Sequence, residues 1–179
     1  MKKSLLVLLL CLLLAVAACG KTEIRPTEDA SASTEGKSLI FETADLDGVA
    51  VSSEELFSAH KITMINVMTT WCTYCIQELP ELQKLSETYA EKDCAIVGIL
   101  YDGTDDALIE TGRSLMEQAG ASYPVLQPWD GMEARIPVQA FPTTFFVNSA
   151  GQIAGETILG ADIASYTAQL DALLAQTTE

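Results

Sequence analysis

The chain has 179 residues, of which 25 are acidic and 10 basic, for a formal net charge of −15. That length suits one folded domain with a single core beside its terminal segments. So acidic a chain, with no cluster of Lys or Arg, would be repelled by nucleic acid and by anionic lipid headgroups, and solubility outside the cytoplasm is enough to explain the charge.

Lys2 and Lys3 precede an apolar run over residues 5–18. The run is short for a membrane span and ends in small residues, so residues 1–18 read as a secretory signal. Val16-Ala17-Ala18-Cys19 resembles the bacterial lipobox, which implies cleavage before Cys19 and acylation at that cysteine with palmitate-type chains. Ordinary cleavage nearby, with Cys19 a spare thiol, is the alternative. Cys11 is lost with the signal, and the remaining chain carries 8 − 25 = −17 charges. Residues 19–38, rich in Thr, Glu, Ser, Ala and Gly without apolar periodicity, form a flexible tether. Residues 39–179 are the folded domain.

Within it, Phe41, Ala44 and Leu46 lead to Asp47-Gly48 and then Val49-Ala50-Val51, the pattern of a small β-hairpin. Ser52 and Glu55 stand at capping-box spacing for a short helix through about Ala59. His60, at its end, reads as a surface residue near a helix C-terminus. Ile62–Met68 is nearly all apolar, as a central strand covered on both faces requires.

Trp71-Cys72-Thr73-Tyr74-Cys75 follows, and then a helical pattern over residues 76–90. Two cysteines three apart at a strand-to-helix junction read as a dithiol that cycles with its disulfide. Cys72 falls at the helix N-terminus, where unpaired N–H groups and the macrodipole favour thiolate, so it is the attacking sulfur. Cys75, followed at helical spacing by Leu79, Leu82 and Tyr89, faces inward and attacks second. As a structural staple so short a loop contributes only about 2 kcal/mol. A zinc site lacks ligands, because only Cys94 and His60 remain, and haem attachment needs a histidine where Ile76 stands. No metal and no cofactor is expected.

Pro80 predicts a kink in this helix. Cys94–Leu100 reads as a second buried strand with Cys94 a small core hydrophobe. A helix over residues 105–119 stops at Gly120, and a short strand covers 123–126. Pro128, Gly131 and Pro137 mark an irregular connection. Residues 141–147, a turn at 148–151 and a partner strand at 152–154 form a hairpin, and residues 161–176 a last helix. The pattern is that of an α/β sandwich.

With Trp-Cys-x-x-Cys after one strand and Phe141-Pro142-Thr143-Thr144-Phe145 before another, the sequence resembles the thioredoxin superfamily, and more closely its TlpA/ResA-like membrane-anchored thiol-disulfide oxidoreductases. The resemblance implies a thioredoxin-like fold: a central mixed sheet with helices on both faces, an N-terminal β-hairpin and an inserted helix-strand unit. It implies that Cys72 is the nucleophile and Cys75 the resolving thiol, and that Pro142 follows a cis peptide bond beside the disulfide. A proline opening an edge strand is the other reading of Pro142.

Glu78 matches an acidic residue beside the dithiol in some ResA-like proteins; it is either a buried carboxylate exchanging a proton with Cys75 or a solvated glutamate. Trp71 matches an aromatic shield, or is a core residue. Tyr74, Phe141 and Thr143 complete the expected client-binding surface, and Tyr74 stands where many members have proline, which leaves the redox direction open. The implied partners are protein thiol or disulfide clients (apocytochrome c cysteine pairs or an exported methionine sulfoxide reductase) and a membrane electron donor of the thiol-relay type, the protein acting as a monomer. Running in reverse it would be a disulfide-forming oxidase. A peroxiredoxin-type peroxidase has Thr69 in place but Ile65 where a proline is wanted. A copper chaperone would want a later histidine.

Overall fold

The computed structural model describes residues 38–136 and 138–177; the expected signal, the lipidation site at Cys19 and nearly all of the tether lie outside the described residues, as does Pro137. The hairpin is present as β1 (Glu42–Ala44) and β2 (Ala50–Ser52), paired antiparallel. Its turn is organised by Asp45, whose carboxylate accepts the N–H groups of Asp47 and Val49, both at 2.9 Å. The short helix α1 (Ser53–Ser58) begins after Ser52 as expected, but the Ser52 hydroxyl makes no capping bond. The neighbouring hydroxyl is used instead: Ser53 Oγ accepts from Phe41 N–H at 2.8 Å and ties the helix to the chain just ahead of β1.

The apolar runs become a five-stranded mixed sheet in the order β5-β4-β3-β6-β7. Its centre is β3 (Ile62–Met68), parallel to β4 (Cys94–Leu100) and antiparallel to β6 (Thr143–Asn148). Beyond them lie β5 (Val125–Leu126), parallel to β4, and β7 (Ile153–Leu159), antiparallel to β6. Only the end of the expected 123–126 strand pairs. In contrast, β7 runs well past Ala154, through a break in register at Gly155 (φ +71°), where a Cβ would strike the Gln169 side chain. Polar residues on this half-exposed edge conceal the strand from a hydrophobicity pattern.

Alternation along the strands divides the core in two. Met64, Met68, Ile96, Leu100 and Phe146 face the long helices α2 (Thr73–Ala90), α3 (Asp106–Ala119) and α4 (Ile163–Gln176). Ile65, Val67, Val97, Ile99, Phe145 and Val147 face Phe41, Phe57 of α1 and Met132 of a single 3₁₀ turn. Helices thus cover both faces, but unequally. Helix α2 continues through Pro80 as one element, so the expected kink does not divide it.

The α3-β5 insertion is fastened to the hairpin. Leu46 N–H donates to Val125 O (3.0 Å), Gln127 N–H to Ala44 O (2.8 Å) and Arg113 Nε of α3 to Leu46 O (2.9 Å), which covers the edge of β5. Across the β4-β5 pair, Gly98 sits opposite Val125, and a Cβ on Gly98 would lie 2.9 Å from a Val125 γ-methyl. Val125 is β-branched and buried, so it has little rotamer freedom with which to yield. Gly98→Ala is expected to destabilise the protein by about 1–3 kcal/mol, read as a lower denaturant midpoint at unchanged slope. An unmoved midpoint would mean that the insertion shifts freely.

Candidate active site

Strand β3 ends at Met68, and the loop through Trp71 carries the chain to the N-terminus of α2. Asp102, in the turn just past β4, holds that loop: its carboxylate accepts the Thr70 N–H (3.0 and 3.1 Å) and the Thr70 hydroxyl (2.6 Å). Cys72 is the N-cap residue of α2, extended at φ −80°, ψ 102°, and its sulfur accepts the Cys75 N–H at 3.2 Å. A sulfur in that position takes up one of the unpaired donors at a helix start, the arrangement that stabilises a thiolate once the bond to it is broken. Cys72 and Cys75 are joined as a disulfide with Cα atoms 5.3 Å apart. The outer sulfur residue, Cys72, is 5% exposed and Cys75 is fully enclosed, so reagents reach the pair from the Cys72 side.

Around it lies an aromatic surface. Trp71 and Tyr74 are each 69% exposed, which removes the reading of Trp71 as a core residue. The Trp71 ring meets Phe141 edge-on at 5.7 Å, and Phe141 lies 5.1 Å from the Tyr101 ring. The Phe141–Pro142 bond is cis, with Pro142 buried. Thr143 is buried too: its hydroxyl donates to Ala140 O at 2.6 Å, and its backbone is paired between Val67 and Leu159. The Thr143 side chain is therefore enclosed, unlike the exposed Trp71 and Tyr74.

Glu78 is 4% exposed, which decides between the two sequence readings in favour of a buried carboxylate. Asn66 Nδ2 donates to its Oε1 at 2.8 Å, and the Tyr166 hydroxyl lies 3.1 Å from its Oε2. Loss of hydration pushes its pKa up to about 7, against the opposing effect of the Asn66 and Tyr166 hydrogen bonds, which favour the ionised form. The carboxyl can therefore change charge near neutral pH, one helical turn from Cys75.

Asn66, Thr144 and Tyr166 were not singled out from sequence. Asn66 Nδ2 also donates to Thr144 Oγ1 at 3.0 Å, so β3, β6, α2 and α4 each contribute to one buried polar cluster. The available signal was Asn66, which with Thr63 is one of two polar residues within the apolar run of β3. His60 and Cys94 lie apart from this cluster. His60 Nδ1 is 3.7 Å from Asp93, and Cys94 is a buried free thiol pushed up to about 11 by burial first and the Asp93 charge second.

Residues 36–155 match the AhpC/TSA family. The chain belongs to that family. Within this AhpC/TSA chain, 93 residues are 29% identical to a thioredoxin-like protein, YneN, of Bacillus subtilis, covering 52% of this chain and 54% of that one. Another 123-residue match, 30% identical, is to the thiol-disulfide oxidoreductase ResA of Oceanobacillus iheyensis, covering 68% of this chain and 59% of the relative. The chain thus spans somewhat over half the length of these curated relatives. A crystal structure of a thioredoxin-family thiol:disulfide interchange protein from Chlorobium tepidum superposes with a TM-score of 0.64 at 23% identity, over 78% of this chain and 97% of that one. The AhpC/TSA domain here accordingly has the thioredoxin-like α/β fold expected from the Trp-Cys-x-x-Cys and Phe-Pro-Thr-Thr-Phe motifs, and the ResA relative agrees with the TlpA/ResA-like resemblance.

Proposed function

We propose that the protein is a thiol-disulfide oxidoreductase that reduces disulfides in client proteins. The observation that carries this reading is Cys72 at the start of α2, with its sulfur bonded to Cys75 and accepting the Cys75 N–H. In the reduced protein the Cys72 thiolate attacks one sulfur of a client disulfide, forming a mixed disulfide and releasing the other client sulfur as thiolate. Cys75 then gives its proton to the ionised Glu78 and attacks the Cys72 sulfur. The remaining client sulfur leaves and takes up a proton, and two electrons have passed from the protein to the client.

Trp71, Tyr74 and Phe141 give an extended client segment an apolar seat beside the sulfurs. The resemblance of Val16-Ala17-Ala18-Cys19 to a lipobox supports an extracytoplasmic, lipid-anchored protein, and a membrane thiol relay would return the electrons.

The reduction potential of the Cys72/Cys75 pair, measured by equilibration in glutathione or dithiothreitol buffers, tests the direction. A value near roughly −250 mV or below is expected, since a reductase must hold its electrons at about thioredoxin's level. A value near roughly −120 mV would make the protein a disulfide donor. The family match supports one second reading, a thiol peroxidase, because Thr69 precedes Cys72 by three residues and its buried hydroxyl has no protein partner among the described residues. Rapid peroxide consumption with a thiol donor would favour it.

A further inference from the structure

The Tyr166 hydroxyl has one proton and lies within reach of Gly160 O at 2.8 Å and Glu78 Oε2 at 3.1 Å, with the Thr144 hydroxyl as a further hydrogen-bond neighbour. The other Glu78 oxygen faces Asn66 Nδ2, whose second hydrogen is directed at Thr144 Oγ1. A proton on Glu78 must therefore sit on Oε2, because Oε1 already faces a donor. With Oε2 protonated, Glu78 donates to Tyr166, and Tyr166 gives its own hydrogen to Gly160 O. With Glu78 ionised, the Tyr166 hydrogen turns to Oε2 and Gly160 O loses its partner. Gly160 is also the residue whose N–H donates to Pro142 O at 2.8 Å, on the loop that carries Phe141.

We propose that Tyr166 is a positioning residue that shares its one hydroxyl hydrogen between Glu78 and Gly160, and so links the charge on Glu78 to the Phe141–Pro142 client loop. The inference rests on the proton-accepting role of Glu78 given above. The titratable groups facing Glu78 are the phenols of Tyr166, from α4, and of Tyr123, just before β5; β3 and β6 present the neutral Asn66 and Thr144, and Cys75 lies on its own helix. Burial pushes Tyr166 up to about 12 and Tyr123 up as well, so both phenols keep their hydrogens while Glu78 changes charge. With Glu78 ionised either orientation of the single hydrogen leaves one acceptor unpaired, and the hydrogen goes to the carboxylate because the charged acceptor makes the stronger bond.

The test uses the oxidised protein, in which neither Cys72 nor Cys75 titrates. The shifts of the labelled Glu78 carboxyl carbon and of the Ala161 amide nitrogen, which shares its peptide unit with Gly160 O, are followed by NMR from about pH 5 to about pH 9. Both are expected to titrate with one midpoint. In Tyr166→Phe the Ala161 response disappears, and the Glu78 midpoint rises by about one pH unit, so the ionised share at the original midpoint falls roughly fivefold. Glu78→Gln abolishes the Ala161 response. A fluorinated tyrosine placed at 166, a stronger donor that preserves packing, moves the Glu78 midpoint the opposite way. An Ala161 titration that persists in Tyr166→Phe, or a Glu78 midpoint indifferent to both changes at 166, overturns the role of Tyr166 and leaves that of Glu78 standing. A Glu78 carboxyl that does not titrate in this range overturns the proton-accepting role itself.

Discussion

Cys72→Ser abolishes disulfide exchange, taking turnover of a disulfide client to the uncatalysed background, whereas Cys75→Ser leaves the first step intact and accumulates mixed disulfides. The difference follows from where the sulfurs sit. Cys75 is fully enclosed, so without Cys72 no sulfur can meet a client, and a serine hydroxyl at the start of α2 is far too weak an acid to ionise and attack in its place. In Cys75→Ser the Cys72 thiolate still forms and still attacks, but nothing inside the helix displaces the client.

A coupled disulfide-reduction assay reads the first result, and a non-reducing gel of protein incubated with an oxidised client reads the second. Client adducts that survive in Cys72→Ser and vanish in Cys75→Ser would reverse the assignment of the two thiols. Thr73 and Tyr74 between them are exposed and leave the helix start unobstructed, so replacing either should alter the potential more than the pathway of exchange.

The attacking pair was legible because its chemistry is local. Spacing, the preceding apolar strand and the following helical pattern all fall within residues 62–90, and β3 and β4 were read to their ends because continuous burial on both faces leaves an unbroken apolar run. The failures also have physical causes. Ser52 and Glu55 have capping-box spacing, yet the hairpin draws the adjacent Ser53 hydroxyl into a bond with Phe41 N–H, a contact set by tertiary packing. Half-exposure of β7 erased its pattern. The cluster around Glu78 was invisible for a third reason: Asn66 meets Thr144 across 78 positions and Glu78 meets Tyr166 across 88. No periodicity encodes such pairs, and Asn66, an amide within the apolar run of β3, was the hint that something buried required a partner.

Glu78 illustrates what that buried cluster costs and what it makes possible. Burial holds its carboxyl at about 7 in the folded protein against an ordinary glutamate's 4.5, so the folded state retains a proton that the unfolded chain releases first. The contribution of Glu78 to stability is therefore full below about pH 4.5, is lost as pH rises through 7 and is level above it, a loss of about 3 kcal/mol.

Glu78→Gln reproduces the protonated form, its oxygen accepting from Asn66 and its amide donating to Tyr166. The expected result is a variant that lacks Glu78's share of the pH slope between these limits and whose unfolding free energy at pH 8 exceeds that of the unmodified protein by about 3 kcal/mol. It should at the same time release mixed disulfides more slowly at neutral pH, by about a hundredfold, because Cys75 has lost its proton acceptor. Denaturant unfolding across pH and single-turnover exchange on the same two proteins measure both effects. Equal pH slopes would show that Glu78 is ionised throughout, and a stabilised variant with undiminished exchange would show that Cys75 loses its proton to water; the carboxylate is functional only if stability and exchange move in opposite directions.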